Sequence, residues 1–259
     1  MTDSSDSLSF IPITGLPEIH PGDDLAALLE QALRAQPGTT LHDGDVLVVT
    51  QKIVSKAENR YVDLASIEPG AEALDLAQRC RKDARLVELV LRESSAVLRV
   101  APNVLITRHR LGHVMANAGV DQSNLSRSGE PVLLLPKDPD ASAQRLREQL
   151  QQHYGIKLAV LISDSFGRPW RLGVCGVCIG CAGLRPLVDL RGTPDRSGRA
   201  LQITEIAVAD QLCGAAALVG GEASEGRPVV LVRGVPQDYF ADGHGAHTLL
   251  RPIEQDLFR

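Results

Sequence analysis

Four oxygen-bearing side chains stand where chemistry could be done: Asp121 in NAGVDQSN, Asp164 and Ser165 in LAVLISDSFGRPWR, and Glu222 in VGGEASEGRP. Asp121 lies between Gly119 and Asn124, among small residues that let a ligand approach the backbone. Asp164 and Ser165 follow directly on a buried-strand pattern, a common place for a functional loop. Glu222 comes after a helix end and two glycines. Two aspartates, a serine and a glutamate on separate loops make a hard-cation set suited to Mg²⁺ or Mn²⁺ with phosphate oxygens. Arg168 and Arg171, just behind, suit an anionic substrate or a transferred phosphoryl group. Lys52 and Lys56, in TQKIVSKAENR, follow another strand end and could bind phosphates as point charges. Plainer readings exist for each. An Asp after a strand is often a turn former, Arg168 could pair with Asp164, and surface lysines are usually solvated.

A second constellation competes with the first. RLGVCGVCIGCAGLRP spaces Cys175, Cys178 and Cys181 as C-x-x-C-x-x-C, which opens an iron–sulfur or zinc reading. A ferredoxin-type run needs a fourth cysteine before a proline, and here Arg185 precedes Pro186. The expectation is that these are core cysteines, small enough to pack like Val or Ala. His244 and His247 form H-x-x-H in a glycine-rich stretch and read as loop histidines rather than a zinc pair. Phosphate-loop, dinucleotide-binding, zincin and nucleophile-elbow patterns are missing from the sequence.

The elements that must position these residues follow from pattern. Strands are expected over FIPI (10–13), DVLVVT (45–50), NVLITRH (103–109), PVLLLP (131–136), KLAVLIS (157–163) and PVVLVRG (228–234). Continuous runs such as LAVLI point to strands covered on both faces. Helical spacing marks DDLAALLEQAL, with Asp23 or Asp24 as N-cap, and DARLVELVLRES. It also marks DPDASAQRLREQLQQHYG, stopping at Gly155, and ITEIAVADQLCGAAALVGG. The segment GVPQDYFADGHGAHTLL reads as an irregular loop. Strands and helices mix without strict alternation, so α+β, or α/β with insertions, is expected rather than a doubly wound sheet.

Composition narrows the function. With 259 residues and 44% apolar side chains, the chain can build a substantial core. A net charge of −5, with no basic stripe interleaved with aromatics, argues against nucleic-acid binding. No apolar run approaches the roughly 20 residues of a membrane span. The polar, acidic start lacks the features of a signal peptide, and five cysteines, three of them clustered, fit poorly with a disulfide framework. A cytoplasmic protein is expected.

Taken together, GLPEIHPGDDL, GDVLVVTQKIVSKAENR, LVELVLRES, GHVMANAGVDQSN, LLPKDPDASA, ISDSFGRPWRLGVCGVCIG, AGLRPLVDLRGTPDRSGR and GRPVVLVRG resemble, in order, the coenzyme F420 γ-glutamyl ligases. The resemblance runs over residues 10–234 and leaves 235–259 as a tail. That tail, ending LLRPIEQDLFR, resembles the point where some relatives continue into a nitroreductase-like domain, so a stand-alone ligase is expected. The resemblance implies an α+β fold of two interleaved subdomains in an intertwined homodimer. It implies joining of L-glutamate to the carboxylate of a deazaflavin precursor, with GTP as co-substrate and an acyl phosphate as intermediate. It further implies two Mg²⁺ or Mn²⁺ ions per active site, with K⁺ as an additional ion.

Carried over by position, Asp121 and Asp164 match the ligands of the first metal, and Ser165 and Glu222 those of the second. Nucleotide contacts fall on Leu16, Pro17, Glu18 and Ile19, on Gln51, Lys52 and Lys56, and on Asn124. They continue along the loop Gly220, Gly221, Glu222, Ala223, Ser224, Glu225, Gly226 and Arg227. Asp164, Arg168 and Arg171 are the expected catalytic group. The rivals are a cysteine-bound metal or cluster, and a nucleotide-binding relative without ligase activity.

Overall fold

The computed structural model describes residues 7–123 and 130–256. In chain order its elements are β1 (Ser9–Ile13), α1 (Leu25–Ala35), β2 (Val46–Thr50), α2 (Gln51–Ala57), β3 (Tyr61–Asp63), α3 (Ala71–Cys80) and α4 (Ala84–Arg92). They continue with β4 (Ser94–Ala101), β5 (Val104–His109), β6 (Val114–Ala116), β7 (Pro131–Leu133), α5 (Pro139–Tyr154), β8 (Ala159–Arg168) and β9 (Arg171–Ala182). The last are β10 (Val188–Asp189), β11 (Glu205–Ile206), α6 (Val208–Gly220) and β12 (Val229–Arg233). The fold is α+β.

Its main sheet is five-stranded, in the order β1-β12-β2-β8-β9, with one parallel pair, β2 and β8. Side chains alternate across these strands and fill two separate cores. Leu47, Val49, Val160, Ile162 and Leu231 pack with α1 and α5. Val46, Val48, Ala159, Leu161, Val230 and Val232 pack with α6. That is why β2 and the first half of β8 read as unbroken apolar runs. Each such fully buried Val, Leu or Ile side chain contributes about 1.5–3 kcal/mol of transfer free energy. A third core gathers α3, α4, the β4-β5-β6 sheet and β7 around Val87, Val90, Leu105 and Val132.

Local chemistry sets the helix ends. Asp24 caps α1, accepting the Ala26 and Ala27 N–H groups at 3.1 and 3.2 Å. Asp138 caps α5 before Pro139, and Gly155 closes that helix with a φ of 66°.

One strand lies outside the elements expected from the sequence, and two expectations are corrected. The run from Arg171 to Ala182 is a strand, β9, hairpinned to β8 through Pro169 and Trp170, the latter at a φ of 64°. Its glycines are needed because it threads between two helices: a Cβ on Gly180 would stand 2.5 Å from the Pro139 carbonyl oxygen, and one on Gly176 2.5 Å from that of Cys213. Residues 203–207 precede α6 and include β11 rather than belonging to the helix. The 235–251 stretch carries two 3-10 turns, Gln237–Tyr239 and Ala246–Leu249.

Of the three clustered cysteines, Cys178 and Cys181 are core residues and Cys175 is half-buried. Cys178 and Cys181 are buried against Cys213 of α6. A bulge at Ile179 puts them on one face despite their spacing of three, and sends Ile179 and Ala182 to the other face. The hydrogen bond with the Cys178 thiol, together with burial, pushes the Cys181 thiol above its usual range. His247, read as a plain loop histidine, faces the Asp140 carboxylate at 3.1 Å.

Candidate active site

Several of these elements meet at one cavity of about 930 Å³. The end of β2 and helix α2 form one wall, and the second half of β8 another. The segment Met115–Asp121 and the loop after α6 complete it. Sequence reading places Asp164 and Ser165 in a loop after a strand; instead β8 continues through them to Arg168. Its polar half needs no cover, because it lines the cavity. The alternation of the strand then matters: Asp164 and Phe166 share the side of Val160 and Ile162, while Ser165 shares the side of Ala159 and Leu161. Consecutive residues therefore serve two different groupings.

The first grouping is Asp164 with Asp121. Burial pushes the Asp164 carboxyl up to about 6, and the nearby Asp121 charge adds to this, against hydrogen bonds from the Ser165 N–H and the Gln51 side chain. Part of its surface still faces the cavity while protein crowds the rest. Gln51 is itself fixed, since its Oε1 accepts from Ser55 Oγ at 2.9 Å.

Asp121 is positioned by an unusual backbone. Asn117, Ala118 and Gly119 take φ values of 51°, 50° and 68°, a left-handed run that costs about 1–2 kcal/mol at each non-glycine residue. Gly119 is required here, because a Cβ would stand 2.8 Å from Met115 Cε and 2.9 Å from Leu135 Cγ. Asp121 then bridges to Leu133 through two backbone bonds, of 2.9 and 2.8 Å. Burial would raise its carboxyl, but hydrogen bonds from Lys52 and Ser123 hold it below its ordinary value.

The second grouping is Ser165 with Glu222. Ser165 Oγ donates to Glu222 Oε2 at 2.6 Å. Glu222 reaches this position because α6 ends at Gly221, whose φ of 86° turns the chain. In the same loop Glu225 accepts the Ala223 N–H at 2.8 Å.

The lysines lie on helix α2, directly after β2, and four residues apart they share one face. Lys52 Nζ is 2.8 Å from Asp121 Oδ2 and 2.8 Å from Ser123 Oγ. Lys56, buried along its stem, pairs with Glu18.

The cavity brings together Leu16, Pro17, Glu18, Ile19, Gln51, Lys52, Lys56, Asp121, Asp164 and Ser165 with the loop Gly220–Arg227. Asn124 lies outside the described residues. Arg168 and Arg171 do not line the cavity; they pair across the hairpin end, with Arg168 Nη2 donating to the Leu172 carbonyl at 3.4 Å. Sequence reading passed over Ser123, although D-x-S is the pattern of an aspartate accepting an N–H two residues on, here at 2.7 Å. It also passed over Thr50, Met115, Ser163 and Phe166 on the walls.

Carboxylates and a hydroxyl are the donors that hard divalent cations take. Among the described residues no three His, Cys, Asp or Glu converge to hold an ion by themselves. The set fits Mg²⁺ or Mn²⁺ bound in the usual nucleotide manner, through one or two carboxylates with phosphate oxygens and water making up the shell.

Known proteins resemble this chain over most of its length. Residues 14–234 match the family model described as F420-0:Gamma-glutamyl ligase. The chain is 46% identical to the coenzyme F420:L-glutamate ligase of Methanothermobacter thermautotrophicus, over 97% of this chain and 99% of that protein. It is 43% identical to the protein of that name from Methanopyrus kandleri, over 93% and 94% of the two chains. With the one from Natronomonas pharaonis it shares 44% identity, over 96% and 94%. At such identity and coverage, the chain belongs to the F420-0:γ-glutamyl ligase family.

Proposed function

We propose that the protein is a GTP-dependent ligase that joins L-glutamate to the carboxylate of the deazaflavin precursor coenzyme F420-0 and then adds further γ-linked glutamates. The observation that carries this reading is the gathering of Asp121, Asp164, Ser165 and Glu222 with Lys52 and Lys56 around one cavity, in a member of this family.

A carboxylate is a poor electrophile until one of its oxygens becomes a good leaving group. In the first step that oxygen attacks the γ-phosphorus of GTP, the bond to the GDP oxygen breaks, and an acyl phosphate forms. The α-amine of glutamate then attacks the acyl carbon and gives up a proton as the bond to phosphate breaks. Both steps depend on positioning and on offsetting charge.

Asp121 and Asp164 would hold one divalent cation, and Ser165 and Glu222 a second, with Mg²⁺ or Mn²⁺ as the ions and K⁺ as an accessory. When bound, these ions offset the triphosphate charge and bring donor and acceptor together. Lys52 and Lys56 contact the phosphates. Leu16–Ile19, Gln51, Asn124 and the Gly220–Arg227 loop surround the rest of the nucleotide. Arg168 and Arg171, beyond the cavity wall, receive the anionic acceptor.

We read the third core as a second subdomain, and the molecule as a cytoplasmic homodimer. The end of the β8–β9 hairpin supports the dimer: Trp170, Leu172 and Val174 are 88%, 98% and 56% exposed, an apolar surface unusual for a monomer. Sedimentation of the purified protein checks this. Among the described residues no helix is long and apolar enough to cross a membrane.

Purified protein given GTP, Mn²⁺, glutamate and F420-0 should yield a product heavier by one glutamyl unit in mass spectrometry. GTP binding without that product would identify a relative lacking ligase activity. An equal yield with ATP would remove the nucleotide preference.

A further inference from the structure

Lys52 occupies the carboxylate that a first cation would use. Its ammonium lies 2.8 Å from Asp121 Oδ2. The other Asp121 oxygen accepts the Ser123 N–H at 2.7 Å, and Ser123 Oγ also takes Lys52 Nζ at 2.8 Å. Lys52, Asp121 and Ser123 thus form a closed triangle, with both charged side chains about a quarter exposed, at 25%. Beside it, Asp164 is held by the Gln51 side chain and the Ser165 N–H.

Two facts make this arrangement consequential. An ammonium and a divalent cation on one carboxylate oxygen repel each other, and solvent at the protein surface screens that repulsion only in part. The two aspartates also lack a third acidic or imidazole partner among the described residues, so the protein alone offers an ion little to outweigh that repulsion. A nucleotide triphosphate changes both terms, because it supplies oxygens to the ion and a new anionic partner for Lys52. The lysine stem is long and unbranched, so it can follow its charge from one partner to the other.

We propose that Lys52 is a positioning residue that competes with the divalent cation for Asp121 and passes to the phosphates when nucleotide enters, so that ion and nucleotide load together. This rests on the reading of Asp121 as a cation ligand. Lys52 is then more than a phosphate contact: it keeps Asp121 charged and aimed, and it disfavours an ion arriving alone.

The test is Mn²⁺ titration of purified, nucleotide-free, full-length protein, with free Mn²⁺ followed by electron paramagnetic resonance. Lys52→Met should bind Mn²⁺ about tenfold more tightly than the wild type, since removing the like charge relieves about 1.4 kcal/mol. Lys52→Arg, which keeps the charge, should match the wild type. With GDP present, wild-type Mn²⁺ binding should tighten markedly, and in Lys52→Met that gain should shrink. Lys52→Gln repeats the measurement should Lys52→Met fold poorly. Unchanged or weaker Mn²⁺ binding in the uncharged variants, with binding still lost in Asp121→Asn, overturns the competition and leaves the ligand reading standing. Wild-type Mn²⁺ affinity in Asp121→Asn overturns the ligand reading itself.

Discussion

Ser165 Oγ and Glu222 Oε2 lie 2.6 Å apart although 57 residues separate them in the chain. One comes from β8, beside the edge strand β9, and the other from the turn after a helix, so the bond ties the rim of the cavity together. Glu222→Ala should lower kcat by roughly 10- to 100-fold and weaken nucleotide binding, because it removes a proposed cation ligand. Glu222 is exposed, so the melting temperature should move little. A kcat within twofold of wild type would exclude Glu222 from the site.

Cys178→Ala separates packing from metal chemistry. Cys178 is 1% exposed, so its loss leaves a small void worth about 1–2 kcal/mol of stability. Ligase turnover at a temperature well below unfolding should stay within about threefold. Stoichiometric iron or zinc in the wild type, lost in this variant, would restore the cluster reading.

Gly180→Ala tests the threading of β9 between helices. The new Cβ would meet the Pro139 carbonyl oxygen at 2.5 Å and the Pro139 Cβ at 2.8 Å. Backbone on both sides has little room to yield, so a loss of about 1–3 kcal/mol is expected in denaturant unfolding. An unchanged midpoint would mean that α5 shifts without resistance.

His113 gives the pH dependence. Burial holds its imidazolium form down to about 4; His109 adds to this, and Asp140 opposes it. The ring also meets Phe166 edge-on, at 5.8 Å between centroids. The unfolded chain takes up this proton near the ordinary pKa of 6.5, before the folded chain does. The associated stability is therefore complete above about pH 6.5 and is lost as the pH falls towards 4, by up to about 3 kcal/mol. His113→Gln should flatten the stability profile across that window. An unchanged slope would place the acid sensitivity elsewhere.

What could be read from the chain follows the range of the forces involved. Asp24, Asp138 with Pro139, and Gly155 act within a few residues, and the helix ends they mark are where the sequence puts them. The apolar runs of β2, β8 and β12 are equally local in meaning. β9 is not, since RLGVCGVCIGCA owes its small residues to helices packed on it from distant parts of the chain. Asp164 and Ser165 look like a loop because the apolar pattern stops before them, whereas the strand simply loses its cover there. The residue types of the site were legible. The contact of Lys52 with Ser123 across 71 residues was not, since no local pattern announces it.

The position of β12 carries a consequence for how the molecule is made. Among the described residues β1 pairs only with β12, which lies between it and β2, with Ser9 opposite Arg233. A chain leaving the ribosome amino end first therefore has an opening strand without a partner until residues 229–233 emerge. The loop bearing Glu222 is anchored by that same strand, so synthesis must pass it before the cavity can close. Nucleotide should consequently stabilise only chains translated beyond β12, and the late insertion of a central strand should make folding slow for a protein of this size.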